Sequence, residues 1–397
     1  MKYDRLIFLI FLLVFVIMQL FASNNIINTE KKENNTKILK ENLVPSSKEV
    51  YKEHSNIFVD KENLPKSIIF VIADGTGIGH YTLSYYSNEL FPYRDFDYIG
   101  LVATHPDDCS KGGCDTGFKK VTDSASSATA YSTGRKTFNG AIGVSKDNQK
   151  LETVVEIAEK YKMNTGLIAT STITHATPAS FASHVNSRKE EYEIARQLSL
   201  SDVDLLFGGG KYFWPDSIID NFINKNGVLI EDINDEINSD SRVLGLFSDK
   251  ALPKHSEGRI PKTVDMAKKA LNFLSSKKNN FFLMIEESQV DWGGHRNDGQ
   301  YIKGEMESLS ELISYLIEYQ KQHPGILLVL TSDHECGGVA IHDHDNGNMH
   351  VNFTSTYHTA NFVPIWAKGP GGSYFGNFLD NTDVGNLLID FVILSNE

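Results

Sequence analysis

Short apolar runs alternate along the chain with longer segments whose apolar residues recur at helical spacing. Runs at 68–72, 165–169, 203–207, 281–285, 326–330 and 362–367 are each bounded by turn residues and read as buried strands. Between them, 151–161, 190–200, 264–274 and 305–319 carry the periodicity of helices packed on one face. Such alternation predicts an α/β protein, a three-layer α/β/α sandwich around a large, mostly parallel central sheet. Residues 211–260 are more polar and irregular and are expected as an insertion over that sheet.

The N-terminus breaks the pattern. Lys2 and Arg5 precede an apolar run at 6–21, and Ala22-Ser23 then opens a polar stretch. Residues 1–22 therefore read as a secretory signal peptide, with an uncleaved anchor as the alternative because the run is close to the minimum span of a bilayer. Residues 23–63, rich in Asn, Lys, Glu and Ser, read as a disordered linker, and 64–397 as one folded domain. The expected destination is the periplasm or the medium, with membrane contact only if the N-terminal segment is retained.

Composition narrows the chemistry. The net charge is −13 and no basic block relieves it, which argues against a nucleic-acid partner. An acidic protein that handles phosphate must concentrate positive charge locally, and metal ions do so compactly. Of the three cysteines, Cys109 and Cys114 bracket a flexible Ser-Lys-Gly-Gly segment suited to a small disulfide loop. A zinc knuckle competes with that reading but lacks a second ligand pair. Cys336 is left over beside Asp333-His334-Glu335, as a bystander thiol close to a metal.

Polar residues at strand ends carry the functional signal. Asp74, Glu286 and Asp333 each lie within a few residues of the C-terminal end of an expected strand, and Thr177 follows another by a short loop. Open parallel sheets build their sites on that rim. The segment Val121-Thr122-Asp123-Ser124-Ala125-Ser126-Ser127-Ala128-Thr129 places a serine where small residues start a helix. Such a serine is ordinarily an N-cap, yet an anion would also be favoured there, and an activated Ser124 could attack phosphorus. Asp291 and His295 are four residues apart, on one face of a helical turn. With Asp333-His334 and His358 they form a mixed oxygen and nitrogen set that suits zinc.

In these motifs, and in His175-Ala176-Thr177-Pro178 and His184-Val185-Asn186-Ser187-Arg188, the sequence resembles the alkaline phosphatases from about residue 68 to 390. The resemblance implies that fold for the folded domain. It also implies hydrolysis of small-molecule phosphate monoesters through a phosphoserine intermediate on Ser124, with two zinc ions and one magnesium ion. By the same resemblance Asp291, His295 and His358 would hold the first zinc. Asp74, Asp333 and His334 would hold the second, which also binds Ser124. Asp74, Thr177 and Glu286 would hold the magnesium, an all-oxygen set that suits a hard cation. Arg188 would grip the phosphoryl oxygens. At two positions beside phosphate and magnesium, where some members carry Asp and Lys, this chain has His175 and Trp292. Altered phosphate affinity is expected, because Trp292 supplies no positive charge. A homodimer is left open. The competing readings are a phosphodiesterase or sulfatase on the same kind of sheet, and a non-catalytic metal- or phosphate-binding protein.

Overall fold

Seven consecutive buried residues, Ser67–Ala73, form the strand β1. A run with no polar alternation can be covered on both faces only inside a parallel sheet. In the computed structural model, which describes residues 59, 61–110 and 113–397, β1 is an inner strand of a 10-stranded sheet. The other members are β2 (Tyr98–Ala103), β3 (Asn164–Thr172), β4 (Leu205–Gly209), β5 (Gly227–Ile230), β6 (Arg242–Leu246), β7 (Phe281–Glu287), β8 (Ile326–Thr331), β9 (Val363–Lys368) and β10 (Phe378–Asp380). Across the sheet the order is β10-β2-β9-β8-β1-β7-β3-β4-β6-β5. Only β9 runs against its neighbours; every other pairing is parallel.

Ten helices connect or flank the strands among the described residues: α1 (Ile78–Ser87), α2 (Ser124–Thr133), α3 (Val154–Lys160), α4 (Ala176–Ala179), α5 (Glu191–Leu200), α6 (Asp216–Asn224), α7 (Thr263–Ser276), α8 (Gln289–His295), α9 (Gly299–Gln322) and α10 (Asn381–Leu394). Alternate residues of β1 feed two cores. Ile68, Phe70 and Ile72 pack with Ala125, Val154 and Leu388 from α2, α3 and α10. Ile69 and Val71 pack with Leu83, Met266 and Leu309 from α1, α7 and α9. This is the expected three-layer sandwich.

All six expected strands belong to the sheet, with β4 displaced toward its C-terminal end. Residues 211–260 differ from expectation. They supply α6 and extend the sheet itself by β5 and β6, at one edge, rather than lying over it. The two strands are short, and β6 opens on Arg242, whose guanidinium donates to the carbonyls of Val203, Ser199 and Leu198. That hidden anchoring makes a buried strand look polar in sequence. The expected signal segment and the linker up to residue 58 lie outside the described residues. No described helix is long and apolar enough to cross a membrane.

Parallel pairing fixes where the strands end. Ile72 lies opposite both Thr331 of β8 and Glu286 of β7, and Ala169 of β3 lies opposite Glu286. Asp74, Asp333 and Glu286 therefore emerge side by side on one rim.

Candidate active site and metal centre

The turn after β1 is shaped by Gly75. Its φ is +75°, and an added Cβ would stand 2.5 Å from the Asp291 Cα, so glycine is needed both for the left-handed backbone and for contact with α8. From this turn Gly75 N donates to Asp333 Oδ1 (3.1 Å) and Thr76 N to Ser332 Oγ (2.8 Å), tying the β1 and β8 ends together.

α2 begins at Ser124, but the N-cap is Asp123, whose side chain accepts from Ser126 N at 3.0 Å. The capping role considered for Ser124 is thus taken by its neighbour, which frees the serine hydroxyl. Ser124 is buried, and its Oγ lies 3.3 Å from His334 Nε2. The helix is pinned to the β8 turn by Ser127 Oγ donating to Asp333 O (2.7 Å) and Tyr131 OH donating to Ser332 O (2.8 Å). Asp123 also accepts from Arg188 Nη1 at 3.0 Å, while Arg188 Nη2 donates to His175 Nε2 at 3.2 Å. Arg188 is thereby held at the mouth of the helix by Asp123, a residue to which the sequence alone assigns no role. Its signal was an acid immediately before a run of small helical residues.

Three groups of donor atoms overlap through shared residues, and one of them includes His334, the neighbour of Ser124. Asp291, His295, Cys336 and His358 form the first, Asp74, Asp291 and His334 the second, and Asp74, His175 and Glu286 the third; in each, the donor atoms lie within 4.8 Å of one another. His295 Nδ1 donates to Thr356 O (2.8 Å) and His358 Nδ1 to Thr122 O (2.9 Å), leaving Nε2 of each ring turned toward Asp291 and toward the other, 3.1 Å apart. A backbone carbonyl on one ring nitrogen is the usual way to orient the other as a ligand. His334 Nε2 lies 3.1 Å from Asp333 Oδ2 and 3.6 Å from Asp74 Oδ1. In the third group Ser171 Oγ donates to Glu286 Oε2 at 3.1 Å, and Thr177 sits on α4 two residues beyond His175. His175, expected only beside the site, presents its own ring nitrogen to this group. Trp292 packs edge-on against the His175 ring, 6.3 Å between centroids.

These donors fit metal ions on their own chemistry. Both carboxylate oxygens of Asp74, Glu286 Oε1, Asp291 Oδ1, Asp333 Oδ2, Thr177 Oγ1 and His175 Nδ1 are buried without a hydrogen-bond partner. Buried polar atoms are almost always satisfied, so six lone oxygens on these residues call for cations, while His175 Nδ1 carries the ring proton because its Nε2 accepts from Arg188. Charge says the same. Burial, followed by the neighbouring Asp333, pushes Asp74 well above the usual carboxylate range, and burial brings Glu286 up to about 7. Asp333 rises to about 6 through burial and then Asp291. Burial and then Arg188 drive His175 down to about 3, and burial and then His358 hold His334 well below its ordinary value. Burial pushes Asp291 up too, but His358 beside it and the other surrounding imidazoles outweigh burial and hold it low.

Cys109 is disulfide-bonded and Cys336 is a free, buried thiol. Burial, then the Asp291 carboxylate, pushes the Cys336 thiol far up. His342, His344 and His350 lie on or beside an exposed hairpin (Ala340–Asp343 with Met349–Asn352), and none of them belongs to these groups.

The sheet order, the serine at a helix start and the donor groups on the rim define a class of metal-dependent α/β hydrolase. Comparison with known proteins names it: the family profile for alkaline phosphatase matches residues 65–346, and the chain belongs to that family. Alkaline phosphatase 3 of Bacillus subtilis is 38% identical over 70% of this chain, a match that spans 62% of that protein. Alkaline phosphatase 4 of the same organism is 29% identical over 81% of this chain and 88% of its own length. Among solved structures, the alkaline phosphatase of the Antarctic bacterium TAB5 superposes with a TM-score of 0.76 at 32% identity, covering 83% of this chain and 98% of that one. A variant of that enzyme is known with Mg bound in its M3 site.

Proposed function

We propose that this protein is an exported phosphomonoesterase in which Ser124 is the nucleophile and Arg188 the phosphate clamp. The observation that carries the reading is the placement of Ser124 Oγ 3.3 Å from His334 Nε2, a member of one of three overlapping groups of acid and imidazole donors, several of whose oxygens are buried without a hydrogen-bond partner. Asp291, His295 and His358 would hold one zinc, Asp74, Asp333 and His334 the other, and Asp74, Thr177 and Glu286 a magnesium, with His175 beside that last set. Bound there, the ions supply the positive charge that lowers the pKa of a hydroxyl and stabilises attacking and leaving oxygens.

The chain's own residues do the rest. The first turn of α2 offers N–H groups and a dipole that favour an anion, so the phosphoryl group docks over Ser124. Arg188, oriented by Asp123 and His175, presents its remaining donors to two phosphoryl oxygens. Ser124 Oγ gives up its proton to solvent and bonds to phosphorus as the ester oxygen departs from the opposite side and takes up a proton from water. Water then cleaves the Ser124 phosphoester by the reverse geometry, giving phosphate and the free hydroxyl with two inversions. Because His295 is partly exposed at the rim, the leaving group extends toward solvent and broad substrate range follows.

Two measurements test this. An aryl phosphate monoester should turn over far faster than the matching aryl diester, and a strong chelator should abolish that turnover until zinc and magnesium are returned. A clear preference for the diester would overturn the substrate class. Separately, Arg188→Ala should raise KM for the monoester and Ki for phosphate about tenfold, the scale of one charged hydrogen bond tempered by solvent. Arg188→Lys is the control, since it keeps the charge near Asp123 but loses the fork; equal Ki in wild type and both variants would remove Arg188 from the site.

A further inference from the structure

The thiol of Cys336 has no part in the mechanism above, yet it lies inside the first donor group. Its placement comes from long-range structure. Glu335–Cys336 pairs antiparallel with His358–Thr359, and Cys336 is directly opposite His358. Residues so paired carry their side chains on the same face, with Cβ atoms about 4.5–5.5 Å apart. The second support is α8. Gly294 lets that helix come so near that an added Cβ would stand 2.9 Å from the Cys336 Cβ, and the same helix carries Asp291 and His295. Cys336 N is bonded to Gly75 O at 2.9 Å, which fixes the residue against the turn below the site. The result is a wholly buried sulfur whose Sγ lies within 4.8 Å of an Asp291 oxygen, a His295 nitrogen and a His358 nitrogen. Asp291 Oδ1, buried and without a hydrogen-bond partner, faces the same point.

We infer that Cys336 Sγ is a fourth protein donor to the metal ion held by Asp291, His295 and His358. The inference rests on the reading of those three residues as a metal site and adds a sulfur to it. On loading, the S–H bond breaks, the sulfur–metal bond forms and the proton leaves to water. A zinc-type ion with one carboxylate, two imidazoles and one thiolate can still accept a fifth ligand, so phosphate is not excluded. A thiolate also shifts the site toward softer ions, with a wider margin for zinc and cadmium over magnesium and calcium than an oxygen and nitrogen set alone would give.

Cobalt substitution of the full chain tests this without reference to turnover. Metal-free protein titrated with Co2+ should develop visible d–d bands together with a near-ultraviolet sulfur-to-cobalt charge-transfer band. Cys336→Ser should keep the d–d bands, lose the sulfur band and bind the ion about 10–100-fold more weakly in chelator competition. Cobalt bound with d–d bands but no sulfur band in the wild type would overturn the inference and leave the three-residue site standing. So would a sulfur band that survives in Cys336→Ser. Wild-type protein that takes up no cobalt would instead sink the three-residue site itself, and the thiol inference with it. The wild-type spectrum decides the matter even if the variant folds poorly.

Discussion

Ser124→Ala is expected to lower kcat for an aryl phosphate monoester by at least about a thousandfold while the fold and metal content stay close to wild type. The activity loss follows from chemistry. Without the hydroxyl no phosphoserine forms, and only water positioned in the same pocket remains as nucleophile. The retained fold follows from structure. The helix start depends on Asp123, not on Ser124, and among the described residues the serine Oγ has a single hydrogen-bond contact, to His334. Removing one oxygen from a site that otherwise binds ions should change stability by only about 1 kcal/mol. Wild-type protein quenched in acid during turnover should gain the mass of one phosphoryl group on the peptide containing Ser124, and the variant should gain none. A variant that kept turnover within tenfold of wild type, or a wild-type label on another residue, would move the nucleophile elsewhere.

The contrast between what the chain reveals and what it conceals has a physical basis. Asp74 and Asp333 are legible because a carboxylate just past a wholly apolar run has nowhere to go but the end of a buried strand, and register does the rest. Asp291 and His295 are legible because their spacing is a local helical property. Ser124 stands out through the small residues that follow it. Cys336 is legible as a thiol close to a metal, from the Asp333-His334 pair before it, but not as a neighbour of Asp291, His295 and His358. Its neighbourhood depends on pairing with His358 twenty-two positions later and on the close approach of Gly294, and neither leaves a periodic trace. His175 is similar, since nothing local distinguishes a histidine facing Asp74 and Glu286 from one on the surface. β6 was hidden because a charged residue can be satisfied inside, as Arg242 is by three carbonyls, and β5 because it is only four residues long. Glu287, beside Glu286, belongs to the same class of residue, and its partner was invisible.

That partner is Arg259, and Arg259→Met is expected to destabilise the protein by about 3–5 kcal/mol, a fall in Tm of roughly 5–15 °C. Arg259 is fully buried between two carboxylates that are themselves fully buried, with Nη1 2.5 Å from Glu287 Oε1 and Nη2 2.5 Å from Glu305 Oε2. Its Nε donates to Pro253 O at 2.8 Å, so the guanidinium also fastens the 253–259 loop over β7 and α9. Methionine fills much of the volume but leaves two acids with no cation in reach, and that uncompensated burial is the source of the loss. Even with Arg259 present, burial lifts Glu305 to about 7. In the variant, without the Arg259 cation that opposes that rise, the folded-state pKa of Glu305 stays above that of the unfolded chain. A raised carboxyl pKa adds stability below the unfolded value and loses it as pH climbs through the folded one, so the deficit should be small near pH ~4.5 and should grow as the pH rises past neutrality. Denaturant melts at both ends of that range measure it. Adding Glu287→Gln and Glu305→Gln to Arg259→Met should flatten the pH dependence and recover part of the stability. A deficit that grew on acidification, or that was unchanged in the triple variant, would mean the loss comes from packing rather than from stranded charge. Asp74 N donates to the Glu287 carbonyl at 3.1 Å, so this buried triad also underlies the rim on which the proposed metal ligands stand.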